Sequence, residues 1–485
     1  MRKSRNIIIL LVVLGILTGS YFFLSNRPEP EEPDANDKIP VLKLNKDDIV
    51  KMEIKNESGE LTFNKVEKEV EEEKDGKKEK VKKSVWEVDY PYEVTLREIR
   101  VDDLAYSFAN LEAERIIEEE TPDDLSPYGL DNPQATGKVT LKDGTVEVLY
   151  LGNSTPIGNT YYLMLEGDPK VYEVWTNHGD HLRYSLADVR DNRLPRINAQ
   201  EITYLKVDKK DGRPIEIKLT DIDDEDYVQT TLTDLKMIQP YREYMNVNGE
   251  ALSKYMEKVP VLNIDEFIED GAKDLSKYGL DEPSAEFILK DNEETLHLLI
   301  GDEYEDDKVY FKTPDSDSVY GMKKSNTKFL DVTPFELVDK FIYIVNIDYV
   351  DKIVVEGLGH KHTLTLERET KPAEEEGEED EVIHTFKING KEVEDKPFRK
   401  VYQSIVGVLA DAEVREGTEG KAEVKAIFYL NKGKNREMHI NYVPYDDDFY
   451  AVFIDGESEF AVNKPMVQKM LTDIEALYRG EFKVD

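Results

Sequence analysis

Stretches in which apolar and polar residues alternate recur along the chain, and each predicts a β-strand with one buried face. Three of these stretches open segments of similar plan, and each is followed by two more predicted strands. A stretch with apolar residues at the i, i+3, i+4 and i+7 positions of a helix comes next. The opening strands contain Ile49/Met52/Ile54, Ile202/Leu205/Val207 and Val350/Ile353/Val355, the third strands are placed at 85–88, 227–232 and 382–388, and the helices contain Val101/Leu104/Ala105/Phe108/Leu111, Ala251/Leu252/Tyr255/Met256/Val259 and Phe398/Val401/Tyr402/Ile405/Val406/Leu409.

Each segment continues with four more predicted strands and closes with a second helix. Turns such as Lys142-Asp143-Gly144 join the strands and are typical of antiparallel hairpins. The common order β-β-β-α-β-β-β-β-α predicts three tandem α+β modules with mostly antiparallel sheets, arranged as an elongated body. The predicted modules are residues 39–198, 199–346 and a diverged third copy, 347–485, and the closing helices contain Leu186/Val189, Phe335/Leu337/Val338/Phe341 and Met466/Val467/Met470/Leu471/Ile474/Leu477.

A ten-residue motif repeats between the first and second modules. Residues 124–133 are Asp-Leu-Ser-Pro-Tyr-Gly-Leu-Asp-Asn-Pro, and residues 274–283 differ from them at two positions. Active sites are rarely duplicated in successive modules, whereas folding devices are, so the motif predicts a structural turn in which glycine permits the backbone geometry and proline sets the next strand. The third module lacks this turn. The residues assigned to it are Tyr128, Gly129, Leu130, Pro133, Tyr278, Gly279, Leu280 and Pro283.

Strongly charged segments separate the second and third predicted strands of each module. They lie at residues 67–83, 221–226 and 370–381. These segments have too few apolar residues to form a core, so they predict solvated hairpin tips. Binding of a partner by the charged tips is the alternative.

The N-terminus predicts the location of the protein. Residues 7–24 are 18 residues without a charge, long enough as a helix to cross a bilayer, and Arg2, Lys3 and Arg5 precede them. Because basic flanks stay in the cytoplasm, residues 1–24 predict a signal anchor with the body outside the cell membrane. Residues 25–38 are a proline- and acid-rich linker. A signal peptide cleaved near Thr18-Gly19-Ser20 is the alternative, and it also places the body outside.

Composition excludes several classes of function. The chain has 104 acidic and 64 basic residues, a net charge of −40, which excludes a protein that binds nucleic acid through its phosphate backbone. It has no cysteine, which excludes thiol catalysis, disulfides, cysteine-ligated zinc and iron–sulfur clusters. No cofactor is predicted.

Few residues suggest chemistry. His178 and His181, three apart on a predicted helix, are the best candidate metal ligands, and His360 and His362 at a strand turn are a weaker pair. The acidic run 221–226 lacks the glycine and the glutamate of a calcium loop, although loose binding of divalent cations remains open. No catalytic residue stands out, and the many carboxylates leave a hydrolase open.

An N-terminal anchor, the repeated turn and the segment Leu186–Leu194 together resemble the bacterial "domain of unknown function 4340" proteins. The resemblance covers nearly the whole body and is strongest in the first two modules. Members of that family are typically encoded beside ABC transporters of the gliding-motility type. The resemblance therefore implies an accessory extracytoplasmic subunit and supplies no catalytic residues.

Our favoured hypothesis is a single-pass, membrane-anchored repeat protein without enzymatic activity that docks with a transporter permease or an envelope complex. Two alternatives remain open at this point. One is an extracellular hydrolase acting on envelope polymers or peptides, and the other is a cation- or solute-binding module.

Overall fold

A computed structural model of the chain describes residues 38–74, 77–220, 233–241, 245–371, 381–414, 418–433 and 435–483. These residues form three sheets in tandem, with short helices between the strands. The strand pairs are antiparallel, which confirms an α+β fold built from repeated antiparallel sheets. Each sheet has nine strands, whereas the sequence pattern predicts seven.

The first sheet contains strands β1–β9 in the order β1-β5-β9-β8-β7-β6-β2-β3-β4. Two of its strands, β1 and β5, were not predicted, and they pair with each other at one edge. The bounds are β1 Ile39–Lys43, β2 Ile49–Asn56, β3 Gly59–Lys74, β4 Lys77–Val88, β5 Asn110–Glu118, β6 Ala135–Leu141, β7 Val146–Ser154, β8 Thr160–Leu165 and β9 Val171–Trp175, with helices α1 Glu98–Ala109, α2 Thr176–Leu182 and α3 Leu186–Val189.

The second sheet has the order β13-β12-β11-β10-β15-β16-β17-β18-β14. The third strand predicted for this module, 227–232, lies outside the described residues. The bounds are β10 Tyr204–Lys209, β11 Ile215–Leu219, β12 Leu235–Gln239, β13 Met245–Asn246, β14 Glu266–Glu269, β15 Ala285–Lys290, β16 Thr295–Tyr304, β17 Lys308–Lys312 and β18 Val319–Lys323, with helices α4 Gly249–Met256 and α5 Pro334–Leu337.

The third sheet repeats the strand order of the second, β22-β21-β20-β19-β24-β25-β26-β27-β23. It does so without the Tyr-Gly-Leu turn, so that turn is not a requirement of the topology. The bounds are β19 Val350–Gly357, β20 His360–Lys371, β21 Glu381–Ile388, β22 Lys391–Val393, β23 Ala412–Glu413, β24 Val424–Leu430, β25 Glu437–Pro444, β26 Phe449–Ile454 and β27 Glu457–Asn463, with helices α6 Asp395–Val406 and α7 Lys464–Arg479.

The observed helices are shorter than the apolar patterns from which they were predicted. Leu111 lies in β5, and Val259 and Leu409 lie beyond the ends of α4 and α6. The closing helices α3 and α5 are single turns of four residues, whereas α7 has 16 residues. Both ends of helix α7 are capped: the Asn463 side chain accepts from the Met466 amide, and Gly480 takes a left-handed conformation.

The charged residues 67–74 and 77–83 extend the β3–β4 hairpin as paired strand instead of loop, and residues 67–69, 80, 82 and 83 are exposed, in keeping with the predicted solvated hairpin. Strands β3 and β4 pair in register as far as Lys74 and Lys77, and acidic residues of β3 stand directly opposite lysines of β4. Opposite charges directly across an antiparallel pair are stabilising, and like charges are destabilising. We call residues 67–83 the charged ribbon. Its register contains three opposite-charge pairs, Glu69/Lys82, Glu71/Lys80 and Glu73/Lys78, and three like-charge pairs, Lys68/Lys83, Glu72/Glu79 and Lys74/Lys77.

Reversing one charge of the ribbon is expected to weaken it. Lys82→Glu places a carboxylate opposite Glu69, and both positions are exposed, so we expect a loss of about 1 kcal/mol of local stability. Hydrogen exchange of β3 and β4, followed by mass spectrometry, measures the loss. The double exchange Glu69→Lys with Lys82→Glu should restore protection, and a double variant as weak as the single one would contradict the charge pairing.

The apolar side chains form two large cores. The first belongs to the first sheet, with Phe63 and Phe108 fully buried. The second is continuous through the second and third sheets and contains both Phe287 and Phe428. In agreement with this, the chain divides into two compact units, residues 1–192 and 193–485.

The second and third sheets are joined by backbone and side-chain contacts within the second unit. The Tyr402 hydroxyl donates to the Val345 carbonyl at 2.6 Å, and the Ile342 amide donates to the Val408 carbonyl at 2.9 Å. The Tyr241 ring packs against Phe460 with centroids 5.0 Å apart.

The predicted anchor, residues 7–24, lies outside the described residues. Within the part of the chain that the structure describes, no helix combines the length and the apolar character needed to cross a bilayer.

Candidate functional site

The repeated turn is a short 3-10 helix that ends at a left-handed glycine in both copies. Asp124 accepts hydrogen bonds from the Ser126 amide at 3.0 Å and from its hydroxyl at 2.6 Å, and Asp274 accepts from the Ser276 hydroxyl at 2.6 Å. Gly129 and Gly279 have φ angles of 66° and 63°, where side chains are disfavoured. Local hydrogen bonding therefore explains the Asp, Ser and Gly of the motif.

The tyrosine of each turn is held by a glutamate of its own sheet. The Tyr128 hydroxyl donates to Glu118 at 2.5 Å, and the Tyr278 hydroxyl donates to Glu269. These hydrogen bonds raise the pKa of Tyr128, and raise the pKa of Tyr278 to about 12. Leu130 and Leu280 are buried after each tyrosine, and Pro133 and Pro283 stand two residues before β6 and β15.

Two glycines that sequence reasoning did not assign to the turn complete it. A Cβ on Gly152 would lie 2.2 Å from the Tyr128 carbonyl oxygen, and one on Gly301 would lie 2.0 Å from the Tyr278 carbonyl oxygen. The turn therefore rests directly on the backbone of β7 or β16. Both glycines occupy equivalent places in the repeat, and that equivalence is the sequence signal that could have identified them.

Removing the turn hydroxyl is expected to destabilise the first sheet. Tyr128→Phe leaves Glu118 without its donor, and we expect a loss of about 1 kcal/mol of unfolding free energy. Urea unfolding followed by tryptophan fluorescence measures the loss. Tyr92→Phe is the control because the Tyr92 side chain is exposed. Equal stability of the two variants would contradict a structural role for the hydrogen bond.

The structure brings His178 and His181 together on α2, around a serine of α1. The Ser107 hydroxyl lies 2.7 Å from Nδ1 of His181 and 3.3 Å from Nδ1 of His178. Because a hydroxyl has one proton, one Nδ1 accepts from Ser107 and the other donates to it. Burial lowers the pKa of His178 to about 4, with His181 acting in the same direction, and burial also lowers the pKa of His181.

This arrangement does not suit the predicted metal role of the two histidines. Ser107 is 2 % exposed and His178 is 7 % exposed, so the cluster lies inside the packing of α1 against α2. Among the described residues, no third metal-binding side chain is grouped with this pair. The hydrogen bonds to Ser107 instead join two helices of the first unit.

The second histidine pair, ranked lower by sequence, is joined by a carboxylate from the C-terminal helix. His360 and His362 lie on β20, and Glu475 lies on α7. Oε2 of Glu475 is 2.8 Å from Nε2 of His362 and 3.6 Å from Nδ1 of His360. Burial raises the pKa of Glu475, but hydrogen bonds from Arg479 and His362 outweigh burial and lower it. One ligand atom from each of the three residues lies within 4.8 Å of the others.

A wide cleft of about 870 Å³ opens within the second unit. Four of its six charged side chains form ion pairs, Lys209 with Asp331 and Arg213 with Glu413, each at 2.6 Å. Because both basic side chains of the lining are paired, they do not indicate an anionic ligand. The acidic run 221–226, considered for cations from sequence, lies outside the described residues.

Three tandem antiparallel sheets with a duplicated tyrosine turn define a repeat protein. The family model described as "Domain of unknown function (DUF4340)" matches residues 86–272 and 241–416, about two thirds of the chain, so the chain belongs to this family. This confirms the resemblance stated from sequence. Each match begins before the helix of one sheet and ends after the first half of the next sheet. Searches of curated proteins and of solved structures returned no match.

Proposed function

We propose that this chain is a membrane-anchored, extracytoplasmic repeat protein without enzymatic activity, serving as an accessory subunit of an ABC-type transporter or related envelope complex. Residues 7–24 cross the membrane, and the basic residues Arg2, Lys3 and Arg5 remain in the cytoplasm. The three sheets then lie outside the cell membrane, where they meet the partner.

One observation carries the proposal: the duplicated residues act within the sheets themselves. In both copies the turn tyrosine donates to a glutamate of the same sheet, and the turn carbonyl rests on a glycine of a neighbouring strand. The residues that repeat between the sheets support the fold and do not form a repeated reactive site. Repetition of this kind is typical of proteins that present surfaces to a partner.

The buried position of Ser107 supports the non-enzymatic part of the proposal. Its hydroxyl is hydrogen-bonded to a histidine, as in an activated nucleophile, but the residue is only 2 % exposed. A substrate would have to separate α1 from α2 to reach it. The hydrogen bond between Ser107 and His181 therefore fits a role in helix packing better than a role in catalysis.

The charged ribbon is the part of the first sheet that we place against the partner. β4 is the edge strand of that sheet and pairs only with β3 in the described strand order. Lys80, Lys82 and Lys83 are exposed on it, but residues 67–83 contain seven lysines and seven acidic residues, so the ribbon as a whole is neutral. The backbone edge of β4, rather than a net charge, is therefore suited to contact a partner.

Affinity purification from detergent-solubilised membranes tests the proposal. Full-length tagged chain should recover the subunits of one transporter, identified by mass spectrometry. A variant in which residues 68–83 are replaced by Asn-Gly should recover less of them if the ribbon is the contact. Recovery of the wild-type chain without any transporter subunit would count against the proposal.

A second variant separates anchoring from docking. Replacing residues 1–24 with a cleavable signal peptide exports the same body without the proposed anchor. We expect this body in the soluble extracytoplasmic fraction, whereas the full chain stays with the membrane. A full-length chain found in the cytosol would overturn the location.

A further inference from the structure

The cluster of His360, His362 and Glu475 has the chemistry of a metal site rather than of a docking surface. His360 and His362 are two apart on β20, and side chains two apart on a strand share one face. Their rings are nearly parallel, at 11° with centroids 6.2 Å apart. The strand therefore presents two imidazoles side by side, and α7 places a carboxylate over them.

The distances between the ligand atoms suit a four-coordinate ion. With bonds of about 2.0–2.1 Å, two ligand atoms of a tetrahedral zinc ion lie about 3.4 Å apart. The Glu475 oxygen is 2.8 Å from one imidazole nitrogen, shorter than that spacing, and 3.6 Å from the other, slightly longer than it. His360 is exposed, so its side chain has the freedom to adjust to an ion.

Burial leaves one side of the cluster open. His362 is buried, Glu475 is half-buried and His360 is exposed. A metal ion held here would keep a coordination position toward solvent for water or for a ligand atom of a partner. Arg479 donates to Oε1 of Glu475 at 2.7 Å, which orients the carboxylate and leaves Oε2 facing the imidazoles.

We propose that His360, His362 and Glu475 form a binding site for a divalent transition-metal ion, Zn²⁺ by its preference for imidazole and carboxylate, that links β20 to α7. The site extends the proposed docking function and does not depend on it. Because the ligands come from two elements 113 residues apart, bound metal would fasten the C-terminal helix to the third sheet.

Asn389 contacts His362 and lowers the affinity of this site for metal. Its Oδ1 accepts the Thr363 amide at 2.8 Å, so its Nδ2 faces Nδ1 of His362 at 3.1 Å as a donor. That contact favours a proton on Nε2 of His362, the atom that must bind the metal. When a metal ion binds Nε2, the proton moves to Nδ1. Nδ1–H then faces the Nδ2 donor of Asn389 instead of an acceptor, and this mismatch lowers the affinity for metal.

Zinc titration of the full-length chain in detergent, monitored by calorimetry, tests the proposal. Millimolar Mg²⁺ is added throughout, because it occupies exposed carboxylates but not imidazoles. We expect one Zn²⁺ per chain. His360→Ala and Glu475→Gln should each weaken binding about ten-fold or more. His360 is exposed, so its variant keeps the fold.

A matched control is His439→Ala. His439, which is half-exposed, contacts Glu437 at 2.8 Å, and within the described part of the chain no third ligand is grouped with it. This variant should bind Zn²⁺ like the wild type. Absence of one-to-one binding, or equal affinity of His360→Ala and His439→Ala, would overturn the proposal.

Asn389→Asp provides a result that loose binding cannot produce. A carboxylate at residue 389 keeps the acceptor for the Thr363 amide and adds an acceptor for Nδ1–H of His362. Affinity for Zn²⁺ should then rise about ten-fold. Co²⁺ in place of Zn²⁺ should give the visible absorption of a four-coordinate ion, and a spectrum like that of hydrated Co²⁺ would overturn the site.

Discussion

Gly152→Ala is expected to lower the unfolding free energy of the first sheet by about 3 kcal/mol. The added methyl group would lie 2.2 Å from the carbonyl oxygen of Tyr128. That oxygen belongs to the backbone of a hydrogen-bonded turn, so it cannot move aside as a flexible side chain can. Gly301→Ala should have the same effect in the second sheet, where the distance is 2.0 Å.

The chain offers a selective measurement of the first variant. Its two tryptophans, Trp86 and Trp175, both belong to the first sheet, so fluorescence during urea unfolding reports that sheet. Ser154→Ala is the control, because it changes an exposed residue of the same strand and should alter stability by less than about 0.5 kcal/mol. A Gly152→Ala protein as stable as this control would disprove the close approach.

Mild acid is expected to destabilise the first sheet through His178. In the folded protein burial lowers the pKa of this residue to about 4, from 6.5. The unfolded chain therefore takes up the proton first, and stability falls as the pH drops from 6.5 toward 4. The full loss is about 3 kcal/mol, and about 2 kcal/mol of it has appeared by pH 5.

The charged groups that act on His178 do not reverse this direction. Glu112 favours the protonated form, whereas Lys38 and His181 oppose it, and burial is the largest effect. Unfolding followed by tryptophan fluorescence between pH 6.5 and 5 measures the loss. His178→Gln should remove a large part of the slope, and the remainder belongs to His181, whose pKa burial also lowers. His439→Gln, which changes a half-exposed histidine of the third sheet, should keep the full slope. An unchanged slope in His178→Gln would show that other groups cause the acid effect.

Sequence patterns predicted the repeated antiparallel architecture because each sheet buries one face of its strands. They failed where a helix passes directly into a strand. Leu111 continues the apolar spacing of α1, but it also alternates with the buried Ala113 in β5. The helical spacing and the strand alternation of apolar residues both fit this stretch. Only the pairing of β5 with β1 and β9 decides that it is a strand.

The paired strands of the charged ribbon were missed for a different physical reason. It has no apolar period, and its strands are held by backbone pairing that forms only when the chain folds back on itself. The one local signal is the Asp75-Gly76 dipeptide between the two charged stretches, which is a typical hairpin sequence.

Sequence spacing favoured His178 and His181 over His360 and His362 as metal ligands, because spacing shows only local neighbours. His178 and His181 share a helix face, and in the folded chain both lie within hydrogen-bonding distance of Ser107. His360 and His362 acquire Glu475 from a helix 113 residues away, a contact that no local pattern contains. The candidate turn was easier to predict because all its residues but Gly152 and Gly301 lie in one short segment.

The continuous core of the second and third sheets has a consequence for how this protein can be shortened or rearranged. A polypeptide that stopped after residue 346 would lack Phe428 and its neighbours, and it would expose to water the apolar side chains of the second sheet that share their core. Such a fragment should aggregate or be degraded, whereas residues 193–485 should be obtainable on their own. Gene rearrangements that add or remove a repeat are therefore tolerable at the end of the first sheet, and the last two sheets should be inherited as a pair.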